Sequence, residues 1–69
     1  MITLYTIHCP ACNILEKKLN AAQIDFEKIT DEDIFAEKGI IQFPVLEIEG
    51  QLYSYGNAIK WLKENSNGN

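Results

Sequence analysis

The hydrophobic pattern changes its period at the two cysteines of the chain, and this change constrains the fold most. Residues 2–7 (ITLYTI) are β-branched or aromatic and apolar on both faces, which is typical of a buried central strand. From Pro10 onwards the apolar residues recur at helical spacing. Their face consists of Ala11, Leu15, Leu19 and Ala22, with Ile14 beside it. The sequence from Cys9 to Cys12 (CPAC) therefore lies where a strand turns into a helix.

The middle of the chain predicts a second strand and a second, short helix. Residues 25–29 (DFEKI) alternate polar and apolar side chains, as a half-exposed strand does. Thr30 or Asp31 can cap the helix that follows, and Gly39 can end it because glycine accepts a positive φ.

The last third of the chain predicts a β-hairpin and a closing helix. Residues 45–48 (VLEI) and 51–55 (QLYSY) are its strands, with Glu49 and Gly50 at the turn. Asn57 is predicted to cap the final helix.

The order of these elements predicts an α/β domain with a mixed four-stranded sheet and helices on both faces. This βαβαββα order fills residues 1–65 as a single domain. Residues 66–69 (SNGN) are polar and are predicted to form a C-terminal tail.

The charge balance excludes one class of partner. Ten acidic residues against six basic ones give a net charge of -4, whereas a surface that follows nucleic-acid phosphates needs the opposite sign. No apolar run approaches the roughly 20 residues of a membrane span, and MITLYTI at the start is unlike a signal peptide. We therefore expect a cytoplasmic monomer that binds neither nucleic acid nor membrane.

The spacing of Cys9 and Cys12 suits a dithiol that makes and breaks a disulfide. Cys9 is at or next to the helix N-cap, and Pro10 takes the first helical position, where a missing N–H costs nothing. Unpaired backbone N–H groups and the helix dipole then favour the Cys9 thiolate. Cys12, one turn further in, can attack a mixed disulfide formed at Cys9. His8 as imidazolium is expected to favour this thiolate modestly, and Pro10 and Ala11 to tune the reduction potential.

Three other roles remain open for the two cysteines. A structural disulfide that closes so short a loop stabilises by only about 2 kcal/mol in the chain-entropy model. A closed zinc site needs four ligands, whereas the chain offers Cys9, Cys12 and the badly placed His8. Zinc would have to be shared between two chains or completed by carboxylates, and no metal site is predicted. Inert buried thiols are common for free cysteines, although a helix start favours reactivity.

Two further motifs accompany the dithiol segment YTIHCPAC. They are the loop QFPV (42–45) and the glycine-bearing turn YSYGN (53–57) that leads into the last helix. With these three segments the chain resembles the glutaredoxin branch of the thioredoxin superfamily over essentially its full length. The resemblance implies a glutaredoxin-like thioredoxin fold with a cis Pro44 beside the dithiol. It also implies a substrate-binding surface formed by Phe43, Pro44, Tyr55, Gly56 and Asn57.

The resemblance implies a thiol-disulfide oxidoreductase that acts as an electron carrier. Cys9 and Cys12 would be catalytic, and the partner would be a disulfide-bearing protein substrate. No tightly bound cofactor is expected, because glutathione or thioredoxin reductase supplies the electrons in this family.

Two branches of the family differ in that electron source. Glutathione-dependent glutaredoxins usually carry CPYC with a lysine shortly before it, whereas this chain has Ala11 and no lysine at residues 6–8. The NrdH-type redoxins, which thioredoxin reductase reduces and which supply ribonucleotide reductase, have a loop that resembles QFPV and an aromatic-serine-glycine turn similar to residues 53–56. They usually have glutamine in place of Ala11. The resemblance leans to the NrdH type, with the glutathione-dependent type as the alternative.

A function of a different class is a non-catalytic binding module that kept the fold. Such a module would hold a partner with the Pro44 loop and with Tyr53 and Tyr55. Phe43 and these two tyrosines either flank the dithiol or pack the hairpin. A thiol titration separates the two classes, because a Cys9 pKa near that of free cysteine favours the binding module.

Overall fold

A computed structural model describes residues 1–65, which form four strands and three helices in the predicted order. The strands are β1 (Ile2–Tyr5), β2 (Glu27–Ile29), β3 (Val45–Ile48) and β4 (Gln51–Tyr53). The helices are α1 (Pro10–Ala21), α2 (Glu32–Lys38) and α3 (Tyr55–Asn65). Over this described part of the chain, no helix combines the length and the apolar character needed to cross a membrane. The predicted tail, residues 66–69, lies outside the described residues.

The strands form one mixed sheet in the order β2-β1-β3-β4. β1 runs parallel to β2, with Tyr5 beside Ile29, because α1 returns the chain to the start of the next strand. β3 is antiparallel to both β1 and β4, and a tight turn joins β3 to β4. The predicted α/β class and the mixed four-stranded sheet are therefore confirmed.

Successive residues of β1 point to opposite faces of the sheet and pack under different helices. Leu4 is fully buried in the main core, on the face that α1 and α3 cover. The buried members of this main core are Leu4, Leu15, Leu19, Leu46, Ala58 and Leu62. Tyr5 lies in a smaller cluster with Phe35 of α2 and Ile40. Helices thus pack on both faces of the sheet, as predicted.

The predicted signals for α2 and the hairpin turn mark the observed boundaries. Asp31 is the N-cap of α2, and its side chain accepts a hydrogen bond from the backbone N–H of Asp33. Gly39 ends α2 with a φ of 70°, which glycine adopts without a steric penalty. Glu49 and Gly50 have φ values of 49° and 86°, as a two-residue hairpin turn requires.

Three of the four predicted strands are longer than the observed ones, whereas β3 has the predicted bounds. β1 ends at Tyr5 rather than at residue 7, since the chain leaves the sheet there to reach the start of α1. Ile7 is consequently 52% exposed, although the apolar pattern placed it in a buried strand. β2 likewise begins at Glu27 rather than at residue 25, and β4 ends at Tyr53 rather than at residue 55.

The predicted cap of the last helix is wrong. α3 begins at Tyr55, so Asn57 lies inside its first turn and is not the N-cap. The carbonyl oxygen of Ser54 accepts the first helical hydrogen bond from the backbone N–H of Ala58, with an N–O distance of 2.7 Å. This places the cap at Ser54, whose hydroxyl makes serine one of the preferred residues there.

A polar network ties α2 to the sheet on the face opposite the main core. The Tyr5 hydroxyl donates a hydrogen bond to Glu47 of β3, and the Lys38 ammonium lies 3.4 Å from the same carboxylate oxygen. Lys38 also lies 5.8 Å from the centre of the Tyr5 ring. The hydrogen bond from Tyr5 lowers the pKa of Glu47, and the Lys38 charge acts in the same direction against the effect of burial. Burial, and then Glu47, raise the pKa of Tyr5.

This network predicts an acid-dependent loss of stability that Glu47→Gln removes. A carboxyl whose pKa is lowered by folding stabilises the folded state above its ordinary pKa, which is 4.5 for glutamate, and this contribution disappears as the pH falls through the folded-state pKa. We expect the wild type to exceed Glu47→Gln in unfolding free energy at neutral pH, and the difference to shrink on acidification. Urea unfolding at a series of pH values measures it, with the exposed Glu49→Gln as the control. Parallel curves for wild type and Glu47→Gln at every pH would contradict the prediction.

Candidate dithiol site

Cys9 and Cys12 lie at the start of α1 and are joined by a disulfide, with their Cα atoms 4.9 Å apart. Cys9 is the N-cap of α1, and its backbone is extended (φ -77°, ψ 167°). Its carbonyl oxygen accepts the first helical hydrogen bond from the backbone N–H of Asn13, at an N–O distance of 2.9 Å. Pro10 occupies the first turn with its φ already suited to a helix. The predicted position of the dithiol at the strand-to-helix turn is therefore confirmed.

The Cys9 sulfur also takes the role that a serine or aspartate oxygen takes at an ordinary cap. The backbone N–H of Cys12 donates a hydrogen bond to Cys9 Sγ, with an N–S distance of 3.1 Å. This N–H is one of the groups that a helix leaves without an internal partner at its start. The first turn carries no acidic side chain that would repel a negative sulfur. A reduced Cys9 would thus have a hydrogen-bond donor and the positive end of the helix dipole directed at its thiolate.

The two cysteines differ in their access to solvent. Cys9 is partly exposed, whereas Cys12 is completely buried, as are Leu15 and Leu19 on the same helix. An incoming molecule therefore meets Cys9 first, and Cys12 is reached only from inside the first turn. This inequality is what the sequence predicts for a nucleophile followed by a resolving thiol.

The segment between β1 and the dithiol makes a sharp turn at His8. His8 has a φ of 61°, in the left-handed region that residues with a side chain rarely adopt. Its backbone N–H donates a hydrogen bond to Thr6 Oγ1, at an N–O distance of 3.0 Å. The backbone N–H of Thr6 donates in turn to the carbonyl oxygen of Ile29, at 3.1 Å. The His8 side chain is exposed next to Cys9. Thr6 thus links the loop that carries Cys9 to the sheet.

The strand register brings the other two motif segments to the same end of the sheet as the dithiol. Tyr5, the last residue of β1, pairs with Val45, the first residue of β3. Leu46 in turn pairs with Tyr53, the last residue of β4. The loop before β3 and the start of α3 therefore both emerge at the end where β1 continues into the Cys9 loop. Because neighbouring strands lie about 5 Å apart, these segments span a surface roughly 10 Å wide.

The loop before β3 contains a cis peptide bond between Phe43 and Pro44, as the resemblance implied. Pro44 is fully buried and Phe43 is partly buried. The Phe43 ring packs edge-on against Phe35 of α2, with ring centres 4.6 Å apart. Phe43 therefore belongs to the α2 side of the sheet.

The remaining predicted binding residues begin α3. Gly56 and Asn57 are exposed in its first turn, whereas Tyr53 and Tyr55 are partly buried against the main core. Phe43 packs on the opposite face of the sheet. The three aromatic residues therefore do not form one group; each contributes first to the packing of its own face.

An apolar groove of about 310 Å³ borders the Phe43–Pro44 loop. Ile41 and Gln42 line it on the loop side, and Val45, Leu52 and Tyr53 line it on the side of the hairpin. Ile41 is 87% exposed and Leu52 is 47% exposed. Sequence analysis gave no sign of this groove, because Leu52 fits a predicted hairpin strand and Ile41 lies in the loop before the hairpin.

The described residues contain no cluster of side chains that could bind a metal ion. Across residues 1–65, no three His, Cys, Asp or Glu side chains are grouped so as to hold a metal ion.

A scan against protein-family models and a search of curated proteins both found no match to this chain.

Thr6 is the residue near the site that sequence analysis missed. Its side chain is fully buried although it is polar, and its hydroxyl accepts the His8 N–H described above. The available signal was a threonine at the end of an apolar strand, three residues before the first cysteine. Such a hydroxyl must find a partner when it is buried, and the backbone of the following loop is the nearest one.

Proposed function

We propose that the chain is a thiol-disulfide oxidoreductase with a glutaredoxin-like thioredoxin fold. The observation that carries this proposal is the hydrogen bond from the Cys12 N–H to the Cys9 sulfur at the N-cap of α1. It directs a backbone donor at the sulfur of the partly exposed Cys9, next to the fully buried Cys12, and this setting favours a thiolate. The convergence of the Phe43–Pro44 loop and the start of α3 at the dithiol end of the sheet supports the fold assignment.

The proposed reaction transfers two electrons from the dithiol to a substrate disulfide. The Cys9 thiolate attacks one sulfur of the substrate, forms a mixed disulfide and releases the other substrate sulfur as a thiolate. Cys12 then loses its proton and attacks Cys9 Sγ, which releases the second substrate thiolate. The products are the reduced substrate and the Cys9–Cys12 disulfide. A reductase or glutathione must return two electrons to this disulfide before the next cycle.

The proposed substrate is a protein, and the proposed source of electrons is thioredoxin reductase. Glutathione-dependent glutaredoxins usually carry a lysine shortly before the dithiol. This chain has no lysine there, and its residue 7 is the exposed Ile7. His8 is the one cationic candidate between the strand and the dithiol. These residues offer little to the carboxylates of glutathione, whereas apolar surface beside a reactive sulfur suits a protein partner. Ribonucleotide reductase is the expected class of final acceptor, as in the NrdH-type redoxins.

Oxidation of NADPH in two parallel assays tests both levels of this proposal. Each assay contains the protein and insulin as the disulfide-bearing substrate; one adds thioredoxin reductase, and the other adds glutathione with glutathione reductase. We expect NADPH to be consumed in the first assay and not above background in the second. The matched control is the same protein, reduced and then alkylated at both thiols.

The outcomes separate the reaction from the electron source. Turnover only with glutathione would contradict the proposed reductase and keep the oxidoreductase. No turnover in either assay, with a protein shown to be folded and reducible, would contradict the oxidoreductase and favour a binding module.

A further inference from the structure

We propose that Thr6 is a positioning residue for the reactive sulfur of Cys9. Thr6 acts through the backbone of His8, whose N–H donates a hydrogen bond to its hydroxyl oxygen. This inference deepens the proposed function and rests on it, because it concerns how the same dithiol is held. The loop between β1 and α1 has a shape that the local sequence preferences do not explain.

The loop holds a conformation that its residues do not favour by themselves. His8 is the residue immediately before the cap, and its φ of 61° is a conformation that glycine or asparagine would adopt more readily. Free rotation at His8 would let the chain enter α1 at other angles. An external contact is therefore needed to hold this single conformation.

Thr6 provides that contact from a fixed base. Its side chain is fully buried, and its own N–H is bound to the carbonyl of Ile29 in β2. Its Oγ1 accepts the His8 N–H over 3.0 Å. A β-branched residue also has few side-chain rotamers, so the acceptor oxygen is fixed in direction. The sheet thereby holds the backbone of His8 through one side-chain oxygen.

The position of His8 determines how well Cys9 serves as the cap. Cys9 follows His8 directly, and its sulfur must lie within reach of the Cys12 N–H, now 3.1 Å away. If the His8 backbone relaxes, the sulfur loses this alignment and the thiolate loses part of its stabilisation. The Thr6 hydroxyl should therefore affect the acidity of the Cys9 thiol through the backbone of His8.

Thr6→Val tests this inference, because valine keeps the shape of threonine and removes the hydroxyl. The readout is the pH midpoint of ultraviolet thiolate absorbance in the reduced protein. We expect the midpoint to rise by about one unit, which corresponds to about tenfold less thiolate at a pH below both midpoints. The remaining thiolate is more nucleophilic, so the rate of attack on a small disulfide should fall by only roughly threefold at that pH.

Two variants and one direct measurement complete the test. Thr6→Ser restores the hydroxyl and should return the midpoint towards that of the wild type. Thr3→Val makes the same change at a buried threonine within β1 and should leave the midpoint unchanged. In the wild type, the exposed His8 should nevertheless show a protected amide in hydrogen exchange.

An unchanged midpoint in folded Thr6→Val overturns the inference, and so does a rapidly exchanging His8 amide if Thr6→Val does not fold. The titration needs no reductase, so its outcome is independent of the NADPH assays. A shifted midpoint together with absent turnover would retain the role of Thr6 at the thiol and reject the proposed oxidoreductase.

Discussion

Cys9→Ser is expected to abolish thiol-disulfide exchange, whereas Cys12→Ser is expected to keep the first attack and trap a mixed disulfide. In the proposed reaction an incoming disulfide meets the partly exposed Cys9, and the Cys12 N–H would stabilise the negative charge of its thiolate. A serine hydroxyl cannot replace it, because it stays protonated at neutral pH. Cys12 is fully buried behind the first turn, so its loss removes only the second step.

Mass spectrometry of each variant after incubation with a disulfide-bearing protein checks this prediction. Cys12→Ser should gain the mass of one substrate chain, and reductant should release it. Cys9→Ser is the matched control, since it keeps one thiol and should gain no such adduct. If Cys9→Ser formed the adduct and Cys12→Ser did not, the order of the two thiols would be wrong.

Leu4→Ala is expected to lower the unfolding free energy by about 3 to 5 kcal/mol, the usual cost of an alanine in place of a fully buried leucine. Leu4 has no exposed surface and lies on β1 between two neighbouring strands, opposite Leu46 of β3. A chain of this size has a total stability of only about 3 to 10 kcal/mol. The substitution should therefore bring the protein close to unfolding at room temperature.

Urea unfolding of the oxidised proteins measures this loss. Leu52→Ala is the matched control, because it removes the same atoms from the edge strand β4, where the leucine is 47% exposed. It should cost less than about 1 kcal/mol. Equal losses for the two variants would mean that the main core does not centre on β1.

The sequence predicted those parts of the fold that depend on local patterns. The helical spacing of Leu15 and Leu19 predicted the buried face of α1, and both residues are fully buried. Asp31 and Gly39 predicted the ends of α2 through their capping preferences. Where neighbours in space decide, prediction failed. The apolar Ile7 leaves the sheet because the chain must turn towards α1, and no local pattern records that need.

The site divides in the same way. The positions of Cys9 and Pro10 at the helix start follow from the change in period between strand and helix, and the structure has them there. The hydrogen bond from His8 to Thr6 could not be predicted, because it depends on a left-handed φ, which is uncommon at any residue other than glycine. Tyr5 was expected in the core, but its partners Glu47 and Lys38 lie 42 and 33 residues away along the chain.

One atom both begins α1 and carries the proposed redox chemistry. In the disulfide, Cys9 Sγ is a neutral and weak hydrogen-bond acceptor; in the thiolate it would be a charged and stronger one. The Cys12 amide, 3.1 Å away, therefore experiences a different electric field in each oxidation state. Its proton is consequently an internal reporter: its NMR chemical shift should follow the electron content of the protein without any added label.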